Sequence, residues 1–247
     1  MEFTIGDPHH QADYWQPQDL PDNCAVAAQT SILNQYLDHP ISQDEANYVA
    51  IANGWYNPGQ GTPQEDMGNL LQAYGVPVHS VDHASIEQIA SELQQGHQVI
   101  VGVNSDQLWD QGPLADFWNW VIKEFGFDNS TFQPADHAVA VTGLDLSDIH
   151  NPKVVINDSG VPDGAGHTYP LDRFMNAWEN SDFNYVATSM APVGGGGPDF
   201  DIGHFLGWET TIAATAMGLD PISASVAGGF VDSLVHNTDW DKVLANI

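Results

Sequence analysis

Apolar residues recur along the first third of the chain at spacings of three and four, and later at strand-like spacings, so helices are expected to precede a sheet. Between residues 22 and 37, Ala25, Val26, Ala28, Ile32, Leu33 and Tyr36 follow the helical period behind Asp22 or Asn23 as N-cap, which predicts a buried helix. A second helix is expected over 43–53, where Ala46, Val49 and Ala50, with Tyr48 nearby, form a stripe that stops at Gly54. A third fits 63–74, with Pro63 suited to the first turn and Gly75 to the stop. A fourth fits 85–95, amphipathic through Ile86, Ile89, Ala90 and Leu93 and ended by Gly96.

Strands are expected at 76–81, 138–143, 154–158 and 185–190. The continuous apolar run Val99–Val103 has strand length and suits a central strand buried on both faces. A helix at 171–180 offers Phe174, Met175, Ala177 and Trp178 to the core, and the aromatic stretch 117–122 suggests a short helix beside a cleft. The two ends are expected to be loose, and no internal repeat is present. Four glycines followed by Pro198 interrupt all regular structure, and Ala-rich helical patterns resume at 208–218 and 222–235, with a final turn at 240–247. The pattern predicts an α+β domain over 1–192, a Gly-rich linker at 193–198 and a helical C-terminal extension at 199–247.

Composition narrows the partners. Four Lys and Arg against 33 Asp and Glu give a net charge of −29, which repels nucleic acid and anionic membrane and favours cationic substrates or salty surroundings. The plainer meaning of that charge is solubility. No run of 18 apolar residues and no basic-then-apolar start occurs, so a soluble chain without membrane insertion or signal peptide is expected. Its location is left open between secretion and a high-salt cytoplasm. The single cysteine excludes an intrachain disulfide, leaving its thiol as buried filler or reagent.

That residue, Cys24, falls at the first turn of the expected helix, where backbone N–H groups and the positive end of the helix dipole stabilise the thiolate that attacks carbonyls. Most free cysteines are small buried hydrophobes, so the position alone does not decide between the two. Gln18, six residues earlier, can curl beside the helix start and share an oxyanion with the Cys24 N–H, although a solvated loop glutamine would look the same. His137 is the preferred base among 11 histidines, because it opens a strand that should be buried and the next strand ends in the carboxylate of Asp158. Asn157 is its rival for orienting the ring. Adjacent strand residues face opposite sides, so one of the two can serve.

The order Gln18, Cys24, His137, Asp158 resembles the papain-like cysteine peptidases, in particular the bacteriocin-processing family, family thirty-nine in the usual peptidase numbering. Further stretches carry the likeness: Gly61-Thr62-Pro63, Ala73-Tyr74-Gly75, Gly96-His97-Gln98-Val99, His137-Ala138-Val139-Ala140-Val141-Thr142-Gly143, Asn157-Asp158-Ser159-Gly160 and the helix from Leu171 to Trp178. The likeness runs from about Gln18 to about Met190. The chain has Cys24-Ala25-Val26-Ala27 where the family often has Cys-Gly-Pro-Ala, and Asn157-Asp158-Ser159 where it often has Asn-Asp-Pro. Neither change removes a reacting group.

The resemblance implies a papain-like fold, with an N-terminal helical part packed on an antiparallel sheet, and hydrolysis of peptide bonds through a Cys24–His137–Asp158 triad and an acyl-enzyme. It implies a peptide or protein substrate and no cofactor. Acyl transfer to an amine would use the same residues. The contrasting reading is a silent peptidase fold serving as an interaction module, with a partner engaged through the C-terminal extension. Bacteriocin-processing members cleave after a double glycine; for Gly194 to Gly197 of this chain a flexible linker is the plainer reading. His9-His10 and Asp199-Phe200-Asp201-Ile202-Gly203 lack the ligand pattern of a metal site, so no metal is expected.

Overall fold

The computed structural model describes residues 3–109 and 135–192. In chain order it contains β1 (Thr4–Gly6), α1 (Pro8–Ala12), α2 (Cys24–Leu33), α3 (Gln43–Ala52), a 3-10 turn (Gln64–Asp66), α4 (Asn69–Ala73), β2 (Val78–Val81), α5 (Ile86–Gln94), β3 (Val99–Val103), α6 (Ser105–Leu108), β4 (His137–Asp145), β5 (Lys153–Asn157), β6 (His167–Pro170), α7 (Leu171–Glu179) and β7 (Tyr185–Thr188). None of the helices described is long and apolar enough to cross a membrane.

Helices pack on a seven-stranded sheet ordered β2-β7-β3-β4-β5-β6, with β1 paired to β4. Every pair is antiparallel. Both faces of the sheet are covered, which explains why β3 and most of β4 are apolar without alternation. On one face, Val101, Val103, Val139 and Val141 meet Ile89 and Leu93 of α5 and Phe174 and Trp178 of α7. On the other, Ile100, Ala138, Ala140 and Val186 meet Ala25, Ala28 and Ile32 of α2.

The helix α2 is hemmed in on all sides, because Val26 packs with Ala46, Ala50, Tyr56 and Leu70 on the side away from the sheet. Two of its buried polar side chains are satisfied within the structure. Thr30 donates its hydroxyl to the Val26 carbonyl at 2.7 Å, and Gln29 donates its amide to the Ala25 carbonyl at 3.1 Å.

The Gln29 carbonyl oxygen also corrects the helix expected over 63–74. It accepts the Gly68 and Leu70 N–H groups at 3.0 and 3.2 Å and so caps α4 from another helix. Gly68 stands at φ 94°, a conformation a helix interior cannot contain, so the segment splits into a 3-10 turn and α4. The N-terminal end is also more ordered than its polar sequence suggests. Thr4, Ile5 and Gly6 pair with Asp145, Leu144 and Gly143, and Ile5 is buried. Strand β6 and helix α6 likewise go beyond the sequence expectations. The expected helix at 117–122, the linker at 193–198, the extension at 199–247 and the Asp199 to Gly203 stretch lie outside the described residues.

Candidate active site

The start of α2 is held from below by a buried polar network. Asn23, fully buried, makes no side-chain capping bond to α2. Its carbonyl oxygen instead accepts the Leu20 N–H at 3.1 Å, and its amide reaches the Asp19 carboxylate and the Asn47 carbonyl oxygen, the latter at 3.1 Å. Gln43 extends the network by donating to the Pro17 carbonyl at 2.8 Å. The first N–H groups of α2 therefore have neither an intrahelical acceptor nor a side-chain cap, and Cys24 stands among them, partly exposed.

His137 opens β4 opposite Val103, at the end of the β3–β4 ladder. Asn157 pairs with Ala140, so the next residue, Asp158, lies on the same side of the sheet as Val139 and His137. The His137 Nε2–H donates to Asp158 Oδ1 at 2.7 Å. Asn157 faces the other way: its amide donates to the Gln11 carbonyl at 2.8 Å, and its oxygen accepts the Gly166 N–H at 2.9 Å. It thus secures α1 and the β5–β6 turn.

The Asp158 side chain is fully buried and saturated with donors. Oδ1 also accepts the Gly160 N–H at 2.9 Å, while Oδ2 accepts the Trp109 indole N–H at 2.9 Å and the Tyr169 hydroxyl at 3.3 Å. Burial would raise the Asp158 carboxyl, but the hydrogen bond and charge of His137, with the Trp109 and Gly160 N–H groups, hold it below the usual carboxylate value. Burial together with the Asp158 charge pushes the Tyr169 phenol up, so it remains a donor.

Burial would likewise push the His137 imidazole down. The hydrogen bond and charge of Asp158, with the influence of the neighbouring Cys24, outweigh it and raise the ring to about 10. With Nε2 taken by Asp158, the opposite ring nitrogen is the one left for the sulfur. Trp109 packs against the ring, with centroids 5.3 Å apart in a T-shaped contact.

Gln18 lies in the loop before α2, tied to the Asp158 turn. Its backbone N–H donates to the Ser159 carbonyl at 2.9 Å, and its side-chain oxygen accepts the Ser159 hydroxyl at 3.4 Å. One N–H of its amide donates to the Leu20 carbonyl at 2.9 Å, leaving the second hydrogen for another acceptor. Trp15, Trp109 and Tyr169 were not legible as site residues. Their sequence context carries no motif, and each reaches Asp158 through tertiary packing. Among the described residues no group of three or more His, Cys, Asp or Glu has the arrangement of a metal site.

Residues 7–186 match the model of the Peptidase_C39 like family. Uncharacterised proteins of Mycobacterium bovis and Mycobacterium tuberculosis are 30% identical over 209 residues, covering 74% of this chain and 84% of theirs. A crystal structure of a protein from Bacillus anthracis, described as a C39-like peptidase, superposes with a TM-score of 0.52 at 15% identity, over 77% of this chain and 99% of that one. The peptidase domain of Streptococcus ComA gives a TM-score of 0.45 at 17% identity, over 72% of this chain and 97% of that one.

Proposed function

This chain belongs to the Peptidase_C39 like family, and from that premise we propose that it is a cysteine peptidase with Cys24 as nucleophile, His137 as acid and base, and Asp158 orienting the ring. The observation that carries the reading is the buried His137 imidazole, bonded through Nε2 to a buried Asp158 carboxylate that has four donors, with Cys24 among the groups that act on the ring. Such a carboxylate stays ionised and favours the protonated form of the ring, the partner that a thiolate nucleophile needs.

In the first step the Cys24 sulfur bonds to the scissile carbonyl carbon while the carbonyl π electrons move to oxygen. Gln18, through its remaining amide hydrogen, and the Cys24 backbone N–H donate to that oxyanion. His137 then gives its proton to the amine nitrogen, the C–N bond breaks, and a thioester remains. Water attacks the thioester as His137 takes its proton, and departure of the sulfur restores the pair.

The substrate is a peptide or protein. The family match over residues 7–186 is in keeping with a peptidase domain at 1–192; residues 193–198 then serve as a linker and 199–247 as an extension available to a partner.

Two measurements test the reading. Iodoacetamide should alkylate Cys24 at least about 10-fold faster than a free thiol near pH 7, and His137→Ala should abolish the advantage. A peptide library should yield products with the native chain and none with Cys24→Ala. Cleavage that survives in Cys24→Ala would overturn the proposal.

A further inference from the structure

Trp109 is placed by the same elements that place His137. The Asp136 carboxylate, one residue before His137, accepts the Ser105 N–H at 2.7 Å and the Ser105 hydroxyl at 2.9 Å, which fixes the start of α6. Leu108 at its end is fully buried, and the Trp109 N–H returns to the Ser105 carbonyl at 2.9 Å. The indole therefore leaves a clamped helix with little freedom. Its N–H meets Asp158 Oδ2 at 2.9 Å while its ring packs against His137.

The Gly160 backbone completes the enclosure. A Cβ at that position would lie 2.8 Å from the Trp109 ring and 2.9 Å from His137 Cε1, so no side chain separates the three groups.

We propose that Trp109 is a positioning residue: its indole N–H fixes the Asp158 carboxylate in its ionised, ring-facing orientation and thereby sets the acid limit of the His137–Asp158 pair. The proposal rests on the peptidase reading for its catalytic consequence, but the carboxylate can be followed without catalysis. The groups that face this carboxylate are His137 from β4, Tyr169 from β6, Trp109 after α6 and the Gly160 N–H. Arg173 of α7 acts on Tyr169, and Cys24 of α2 acts on His137. Trp109 differs from Tyr169 in its shorter bond, and from Gly160 in binding the oxygen that His137 leaves open.

The test uses the full chain with Trp109→Phe, which keeps an aromatic ring and removes the N–H, and Trp109→His, which keeps a donor. The Asp158 carboxyl is titrated by carbon NMR, and the pH dependence of Cys24 alkylation and of peptide cleavage is measured alongside. In Trp109→Phe the Asp158 inflection and the acid limb should rise by about one pH unit, because a donor to the charged form is lost. The kcat should fall about 10-fold with KM unchanged. Trp109→His should recover at least half of the shift.

A folded Trp109→Phe chain with the native inflection would overturn the proposal, as would equal shifts in both variants, which would assign the effect to ring shape. If native Cys24 reacts like a free thiol, the peptidase reading fails, and the carboxyl titration still decides the role of Trp109.

Discussion

Trp15 donates its indole N–H to the main-chain carbonyl of Asp158 at 2.8 Å, joining the segment that carries Gln18 to the turn that carries the Asp158 carboxylate. The Gln18 N–H bonds the Ser159 carbonyl one residue further on, at 2.9 Å, so the two segments are laced side by side. Trp15→Phe should therefore cost about 1 kcal/mol of stability and lower kcat several-fold with little change in KM. Urea unfolding with steady-state kinetics on one preparation checks both.

The His137–Asp158 pair predicts a window of stability against pH. His137 is raised from its usual 6.5 to about 10, so its contribution is full below 6.5 and is lost as pH climbs through about 10. Asp158 is lowered from its usual 3.8, so its contribution is present above 3.8 and is lost as pH falls through the depressed value. The urea midpoint should thus be greatest between about pH 4 and 6.5 for this pair, and the alkaline decline should flatten in Asp158→Asn. An equal alkaline decline in native and variant chains would remove the pair as its source.

Gly160→Ala should disturb both folding and activity. The new methyl would meet Trp109 and His137 at 2.8 and 2.9 Å and must displace one of them. The expected result is a stability loss of about 1–3 kcal/mol, together with a fall in kcat on the order of 10²-fold from the misplaced ring. A fully active variant would mean that the ring's position tolerates movement.

A second buried carboxylate supplies the contrast. Glu92 accepts His79 Nε2–H at 2.9 Å and the Tyr185 hydroxyl at 3.1 Å on one oxygen, and His97 Nδ1–H at 2.6 Å on the other. Burial would raise it, and these hydrogen bonds with the His79 charge hold it below its usual 4.5. His97 precedes the Val99 end of β3, whereas His137 pairs with Val103 at the other end, roughly 13 Å along the strand. Glu92→Gln should cost about 1–3 kcal/mol and leave kcat and KM unchanged. That cost should shrink as pH falls through the depressed pKa, because the native carboxylate is protonated there too.

Much of the fold was legible because its elements are long enough to show a period. Ile86, Ile89, Ala90 and Leu93 mark α5, and the observed Ser85–Gln88 capping box closes its start. Strand β1, helix α6 and strand β6, of three, four and four residues, are too short for periodicity to register. The break at Gly68 was hidden for a different reason, since its cap comes from Gln29, 39 residues away.

By itself the sequence determined the chemistry on offer: one thiol at a helix start, a histidine at the head of a buried strand, and a carboxylate or an amide at the end of the next. The tertiary structure decided which of these meet, because the β4–β5 register turns Asp158 toward His137 and sends Asn157 to Gln11 and Gly166. It also recruited Trp15, Trp109 and Tyr169, which lie 143, 49 and 11 residues from Asp158 in sequence. Local preference encodes helices and strands, but saturating a buried charge requires donors from wherever packing brings them, and that is a property of the folded chain alone.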